Sequence, residues 1–396
     1  MRAPQRLFTP GAGAAPPALT GREREQGVLT RCLADLAGGN APPHDVALMG
    51  PRGNGKTVLL NWFTRACHDA ARIDVVRLSP SLVRSREAVA EALLPVSVIR
   101  KILPRKLGVA GVGQAEWAAP DVPAQELMER LIARCRKKPV VALVDEAHTL
   151  TRDVGQLLLN LSQDVRANAP FLLVLAGTPG LPAHLATMNA SFWSRLDEGR
   201  LGIGLLSDAA ARAALTNPLA AHGVGIDADA LDAVVEHSQR YPYFIQVWGS
   251  ALWQQRLAIE ATRLTAAHAD AARSQVIARV TDYYQDRYRE LEARSVLPAA
   301  VAVAALFGSA ASTATDRDLD AALGATGDDA AGRLAAREEL NRLGYLWSPP
   351  GQVPPVVWVA GIPSLMTYVV DRAPPLRPSE VDADADADAK RDRSDP

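Results

Sequence analysis

Cysteine is scarce in this chain, and its placement excludes a disulfide framework: Cys32, Cys67 and Cys135 lie far apart, are odd in number and form no CxxC pair. They read as reduced cytosolic thiols. Metal-ligand spacing is missing too, since the 7 histidines form no zinc pattern with one another or with cysteine. No apolar run approaches the roughly 20 residues that span a bilayer, and residues 1–18 alternate Pro, Gly and Ala without a continuous hydrophobic segment. No membrane anchor or secretory signal is therefore expected, and the location reads as cytoplasmic. Neither sign of charge is in excess, because 43 Lys and Arg against 44 Asp and Glu leave a net −1. Any binding to nucleic acid has to come from a local patch.

What is present is the balance of a globular protein, 48% apolar and 22% charged. The 396 residues suffice for two or three compact domains. Pro4, Pro10, Pro16 and Pro17 make residues 1–18 a flexible arm. A helix capped at Thr20 then carries Val28, Leu29, Cys32, Leu33 and Leu36 on one face and stops at Gly38 and Gly39. Apolar strands are predicted over 45–49, 73–78, 139–144 and 171–176, and helices over 57–71, 87–94, 125–137 and 155–168. Strands apolar on both faces and alternating with helices imply an α/β fold over residues 19–206, a parallel sheet covered on both sides.

The segment holding Arg100, Lys101, Arg105 and Lys106 fits no regular element and reads as an insertion. Ser207 and Asp208 cap the first of several Ala- and Leu-rich helices that form a helical domain over 207–294. Helices over 296–307, 316–323 and 331–343, followed by a β-rich, Pro-interrupted stretch over 345–370, outline a winged helix at 295–372. Residues 373–396 carry Asp-Ala repeats and read as a disordered acidic tail; they lack the glycine and terminal glutamate of a calcium loop.

The chemistry-bearing motif is GPRGNGKT at 50–57, which satisfies G-x-x-x-x-G-K-[ST] between a strand and a helix. A phosphate needs many donors at short range. Gly50, Pro51, Arg52, Gly53, Asn54 and Gly55 form a loop whose glycines let backbone N–H groups turn inward, and the helix starting near Lys56 adds its positive end. Lys56 reaches the phosphates, Thr57 offers a hydroxyl to Mg²⁺, and Val58 continues the cradle into the helix. A second motif, VVALVDE at 140–146, ends a strand in two carboxylates. Asp145 is placed to bind Mg²⁺ and Glu146 to polarise an attacking water.

GPRGNGKT, VVALVDEAH, FLLVLAGTPG, SFWSRL and YPYFIQVWG together resemble the AAA+ superfamily of P-loop ATPases, nearest its origin-recognition-like and bacterial ATP-binding members, over roughly residues 19–370. The resemblance implies a three-layer αβα core, a helical lid and a winged helix, with ATP and Mg²⁺ as cofactors. It implies that Thr178 is a polar sensor at the end of a strand. It also implies that Arg195, with Arg200 in reserve, is an arginine that reaches a neighbouring subunit's nucleotide, so a homo-oligomer is expected. Leu19 to Glu23 resembles a lead-in segment near the adenine, where backbone contacts are expected to matter more than side chains.

One departure concerns the lid. The origin-recognition type places a sensing arginine on a lid helix, whereas here Arg240 precedes Pro242 and residues 241–244 hold none. Tyr243, Phe244, Val247, Trp248, Leu252 and Trp253 recur at helical spacing and read as lid core. The third helix of the winged-helix region shows Arg333, Arg337 and Arg342 interleaved with Glu338 and Glu339, so DNA contact there stands beside a solvated or protein-docking face. The segment with Arg100 and Lys106 is an equal candidate for nucleic acid or a partner. Three readings stand: an ATPase whose nucleotide state controls assembly with itself, a protein partner or DNA; a slow or non-hydrolysing nucleotide-gated scaffold; and a DNA-loading or transposition-type ATPase.

Overall fold

The computed structural model describes residues 4–11, 13–70, 72–94, 123–308, 312–351 and 356–372. The basic segment around Arg100 to Lys106 and the acidic tail lie outside the described residues. The chain divides into two compact units, Gly11–Ile203 and Gly204–Pro396, the second including Met1–Pro10.

In the first unit α1 (Glu23–Ala37) leads into β1 (Val46–Met49), and α2 (Lys56–Asp69), β2 (Asp74–Leu78) and α3 (Arg86–Leu93) follow. After α4 (Ala124–Lys137) come β3 (Val140–Val144), α5 (Arg152–Arg166), β4 (Phe171–Gly177), α6 (Leu181–Ala186) and β5 (Arg200–Gly202). All strands are parallel, in the order β2-β3-β4-β1-β5. Strand geometry sends successive side chains to opposite faces, and both faces are covered. Val46 and Leu48 of β1, Val141 and Leu143 of β3, and Leu172 and Val174 of β4 pack with α1 and α2. Ala47, Ala142, Val144, Leu173 and Leu175 pack with α3, α4 and α5 on the other side. This is the expected three-layer αβα core. Because the chain crosses from β1 past two positions to β2 and later fills them with β3 and β4, the loops after β1, β3 and β4 open side by side at the carboxyl edge.

Two details differ from the sequence expectation. Helix α1 starts at Glu23 with Arg22, not Thr20, at its N-cap, and no side chain caps it. The short strand β5, which no periodicity marks, pairs with the outer side of β1 through Ala47, Leu48 and Met49.

The second unit holds α7 (Asp208–Ala221), α8 (Ala228–Ser238), α9 (Pro242–Ile259) and α10 (Ala266–Ala293), joined by the parallel pair β6 (Gly225–Ile226) and β7 (Arg263–Leu264). Ser207 caps α7 by accepting from the Ala210 N–H. Then come α11 (Leu297–Ala304), β8 (Thr313–Ala314), α12 (Asp316–Gly324), α13 (Ala330–Leu343), β9 (Leu346–Trp347) and β10 (Trp358–Ala360). The strands β8-β10-β9 form an antiparallel sheet, giving the order of a winged helix. The stretch over 345–370, read as β-rich and Pro-interrupted, ends in a helix, α14 (Pro363–Arg372). Its proline stands at the first helical position, where the missing N–H costs nothing, so it starts a helix instead of interrupting a strand.

The helical and winged-helix regions, expected as separate domains, share one apolar cluster that joins Tyr241, Phe244 and Tyr284 to Val303, Leu319 and Met366. A larger correction concerns the arm. Leu7 and Phe8 are buried with Trp248, Leu252 and Trp253 of α9. Trp253 Nε1 donates to the Pro4 carbonyl at 2.9 Å and Thr9 N to Gln246 Oε1 at 3.2 Å. Gly249 has no side chain because the Phe8 ring occupies that space; a Cβ there would meet it at 2.4 Å. Prolines resist helix, but they do not prevent an extended segment from burying two large apolar side chains. Among the described residues no helix is long and apolar enough to cross a membrane.

Candidate functional site

The turn after β1 needs backbone conformations that only glycine adopts freely. Gly53 and Gly55 have φ of 82° and 95°, and Gly55 is the left-handed N-cap from which α2 starts. Gly50 is excluded from change for another reason, since a Cβ there would meet the Ile203 carbonyl oxygen at 2.2 Å. Asn54 is buried and locks the loop from both sides: its Nδ2 donates to Ile203 O at 3.1 Å, and its own carbonyl accepts from Arg22 Nη2 at 3.1 Å. Pro51 is buried and Arg52 half-buried at the loop's start; Val58 is half-buried in the first turn of α2.

Lys56 is only 6% exposed, and its ammonium donates to the carbonyls of Gly50 at 2.7 Å and Pro51 at 2.9 Å. Burial draws its pKa down to about 8; Glu146 and Asp145 pull it upward and Arg52 presses it down. Thr57 Oγ1 donates to Asp145 Oδ2 at 2.7 Å, which ties the first turn of α2 to the end of β3. The other carboxylate oxygen of Asp145 accepts from Glu146 N at 3.0 Å. Glu146 itself has φ of 53° and is half-exposed beside a cavity of about 440 Å³ lined by Leu60, Ser79, Ser81, Asp145 and Thr149.

Between β1 and β3 runs β4, so its end separates the phosphate-type loop from the two acids by one strand on each side, ~5 Å each way. Thr178 stands there, 2% exposed, with its hydroxyl oxygen lacking a hydrogen-bond partner. Lys56, Thr57, Asp145, Glu146 and Thr178 therefore converge on one edge. Arg195 does not join them. It lies exposed in the 3-10 segment Trp193–Gly199 and donates from Nη1 to Gln163 Oε1 at 2.6 Å. Arg200 opens β5 and donates from Nε to Asp197 O at 3.3 Å.

This arrangement fits a metal-bound polyphosphate. A hydroxyl and a carboxylate oxygen 2.7 Å apart are hard donors that one Mg²⁺ can take together, and a desolvated ammonium gains most from an anion placed beside it. The unpartnered Thr178 hydroxyl offers a further polar contact.

Arg22 is the residue that the sequence left aside. Its side chain, not only its backbone, matters: it is 6% exposed, burial lowers its pKa against the pull of Glu25 and Glu23, and it holds the Asn54 carbonyl. Glu25, buried three residues on, was the signal, because a buried arginine requires nearby negative charge.

The fold and this edge define a P-loop nucleotide-binding protein. Residues 18–175 match the family model of the AAA ATPase domain. No curated protein matches the sequence. Among solved structures, the chain is similar to a Walker-type ATPase of Pyrococcus abyssi at 14% identity and a TM-score of 0.54, covering 89% of this chain and 96% of that one. It is also similar to the ORC2 protein of Aeropyrum pernix, in its ADPNP–ADP complexes, at 14% identity and a TM-score of 0.54, covering 91% and 97%. At such identity the likeness concerns the fold.

Proposed function

We propose that this protein is an AAA+ ATPase that binds Mg-ATP at the carboxyl edge of its parallel sheet, hydrolyses it, and uses its nucleotide state to control assembly with itself or a protein partner. The contact between Thr57 and Asp145 supports this most directly, since it joins the two motifs that share a metal in phosphoryl transfer. Backbone N–H groups of residues 50–58 cradle the phosphates and Lys56 offsets their charge. Thr57 and Asp145 would hold Mg²⁺, which would supply positive charge to offset that of the phosphates. Glu146 orients the water and takes its proton, and Thr178 contacts the terminal phosphate. Arg195, exposed on the surface, acts on the nucleotide of a second copy.

DNA contact through α13 has less support. Arg333 is paired with Asp320 at 2.9 Å, Arg337 with Asp316 at 2.8 Å, and Arg342 with Glu339, so each arginine already serves a carboxylate of its own unit. One observation favours a slow, scaffold-like variant of the main reading: α9 begins at Pro242, and Arg240 lies before it in a left-handed turn with φ of 58°. Particle mass by light scattering separates the versions. It is expected to rise in Mg-ATP relative to Mg-ADP, and a monomer in both removes assembly control and leaves Arg195 without a task.

The lowered pKa of Lys56 adds a pH dependence. Between about 8 and the unfolded value the unfolded chain binds the extra proton, so burial of this lysine costs stability below about 8, and that cost fades as pH rises. Nucleotide binding runs the opposite way, because phosphates favour the charged ammonium and binding above pH 8 must take up a proton. Affinity for Mg-ATP is expected to weaken about tenfold between pH 7 and pH 9 by titration calorimetry, with proton uptake appearing at the upper end.

A further inference from the structure

His148 has no role in the scheme above, yet its ring lies between two of the strand ends that build the site. After Glu146 the chain reverses through the short turn Ala147–Thr149, and the reversal is fixed by Thr149, whose N and Oγ1 both donate to the Glu146 carbonyl, at 2.9 and 2.8 Å. The left-handed backbone of Glu146 is what makes this turn. It brings His148 Nε2 to 3.4 Å from Glu146 Oε2. On the far side of the ring, His148 Nδ1 accepts from the backbone N–H of Thr178 at 3.4 Å. The imidazole is 8% exposed, whereas the glutamate it touches is 50% exposed.

The chemistry of the two nitrogens follows from their neighbours. A backbone N–H can only donate, so Nδ1 is the acceptor, and a neutral ring then carries its proton on Nε2, facing the carboxylate. Thr178 is a rigid anchor. It directly follows β4, and its own carbonyl accepts from Leu181 N at 3.0 Å. The turn beyond His148 is held as well, because His184 Nε2 lies 3.1 Å from Leu150 O. A half-exposed glutamate would otherwise sample several rotamers, and a buried ring fastened to the neighbouring strand restricts it.

We propose that His148 is a positioning residue that fastens the Glu146 carboxylate to the end of β4, so that the acid and Thr178 are held in one fixed relation. This rests on the reading of Glu146 as the group that takes the proton from water. A core histidine that only filled space would be indifferent to which nitrogen carries the proton and would not couple to Glu146.

The test uses the full chain with Mg-ATP. His148→Ala is expected to lower kcat about 10- to 100-fold while KM and nucleotide affinity stay within about twofold, since orientation and not binding is lost. His148→Gln, whose Oε1 can accept from Thr178 and whose Nε2 can donate to Glu146, is expected to recover most of the rate. In a Glu146→Gln background the alanine change should cost nothing further. Turnover that depends on Glu146 but ignores His148→Ala, or losses that combine in full in the double variant, would overturn the proposal. Turnover absent from wild type and Glu146→Gln alike brings down the hydrolysis reading itself, and the proposal with it.

A second measurement needs no turnover. In protein labelled with ¹⁵N-histidine, with the signal assigned through His148→Gln, His148 is expected as the Nε2–H tautomer with Nδ1 as acceptor. An Nδ1–H tautomer, or a ring averaging between the two, overturns it.

Discussion

Lys56→Ala is expected to abolish measurable Mg-ATP binding at micromolar nucleotide while leaving the far-ultraviolet spectrum unchanged. The lysine side chain contributes little to the core: its ammonium is held by two carbonyls of the loop it serves, and its burial is a cost while no anion compensates it. Removing it therefore does not unfold α2. It does remove the ammonium placed to meet the phosphates, and charge-assisted hydrogen bonds to phosphate are worth about 1.5–3 kcal/mol each. Losing two of them weakens binding at least ~100-fold. A fluorescent nucleotide analogue titrated into wild type and variant decides the matter, and affinity within threefold of wild type would show that nucleotide binds elsewhere.

Glu146→Gln is expected to separate binding from turnover. The variant keeps the shape of the side chain and leaves Thr57 and Asp145 untouched, so nucleotide affinity should equal or exceed that of wild type. Loss of the proton acceptor should reduce phosphate release by about 10²–10⁴. Measured with and without duplex DNA at physiological salt, wild-type turnover is expected to be the same, because the arginines of α13 are engaged within their own unit. Stimulation by DNA would instead favour the DNA-loading reading, and equal rates for wild type and variant would leave a nucleotide-gated scaffold.

Most of the first unit was legible in the sequence because its central strands β1, β3 and β4 are buried on both faces. Val140 to Val144 and Phe171 to Gly177 are continuous apolar runs of strand length, rich in Val or Leu, and glycine spacing in the loop encodes backbone angles directly. The strand of Arg200, Leu201 and Gly202 was not legible, since three residues carry no period and their pairing with β1 is decided by distant sequence. The same reason hid the arm. Leu7 and Phe8 look like isolated apolar residues among prolines, and their partners on α9 lie more than two hundred positions away, with Thr9 and Gln246 separated by 237. At the site the loop, the acids and Thr178 could be read as motifs. The roles of Arg22 and His148 depend on which groups face them, and only the folded chain supplies that.

The burial of Leu7 and Phe8 also sets an order of events during synthesis. The arm is synthesised before the helix that receives it, and that helix emerges only after the whole of Gly11–Ile203 has been made. The nucleotide-binding unit is contiguous and can close on its own while the chain is still growing, whereas the helical unit must await both of its pieces. A bulky group fused directly ahead of Pro4, or removal of Leu7 and Phe8, would thus impair the last part to fold and leave the first intact.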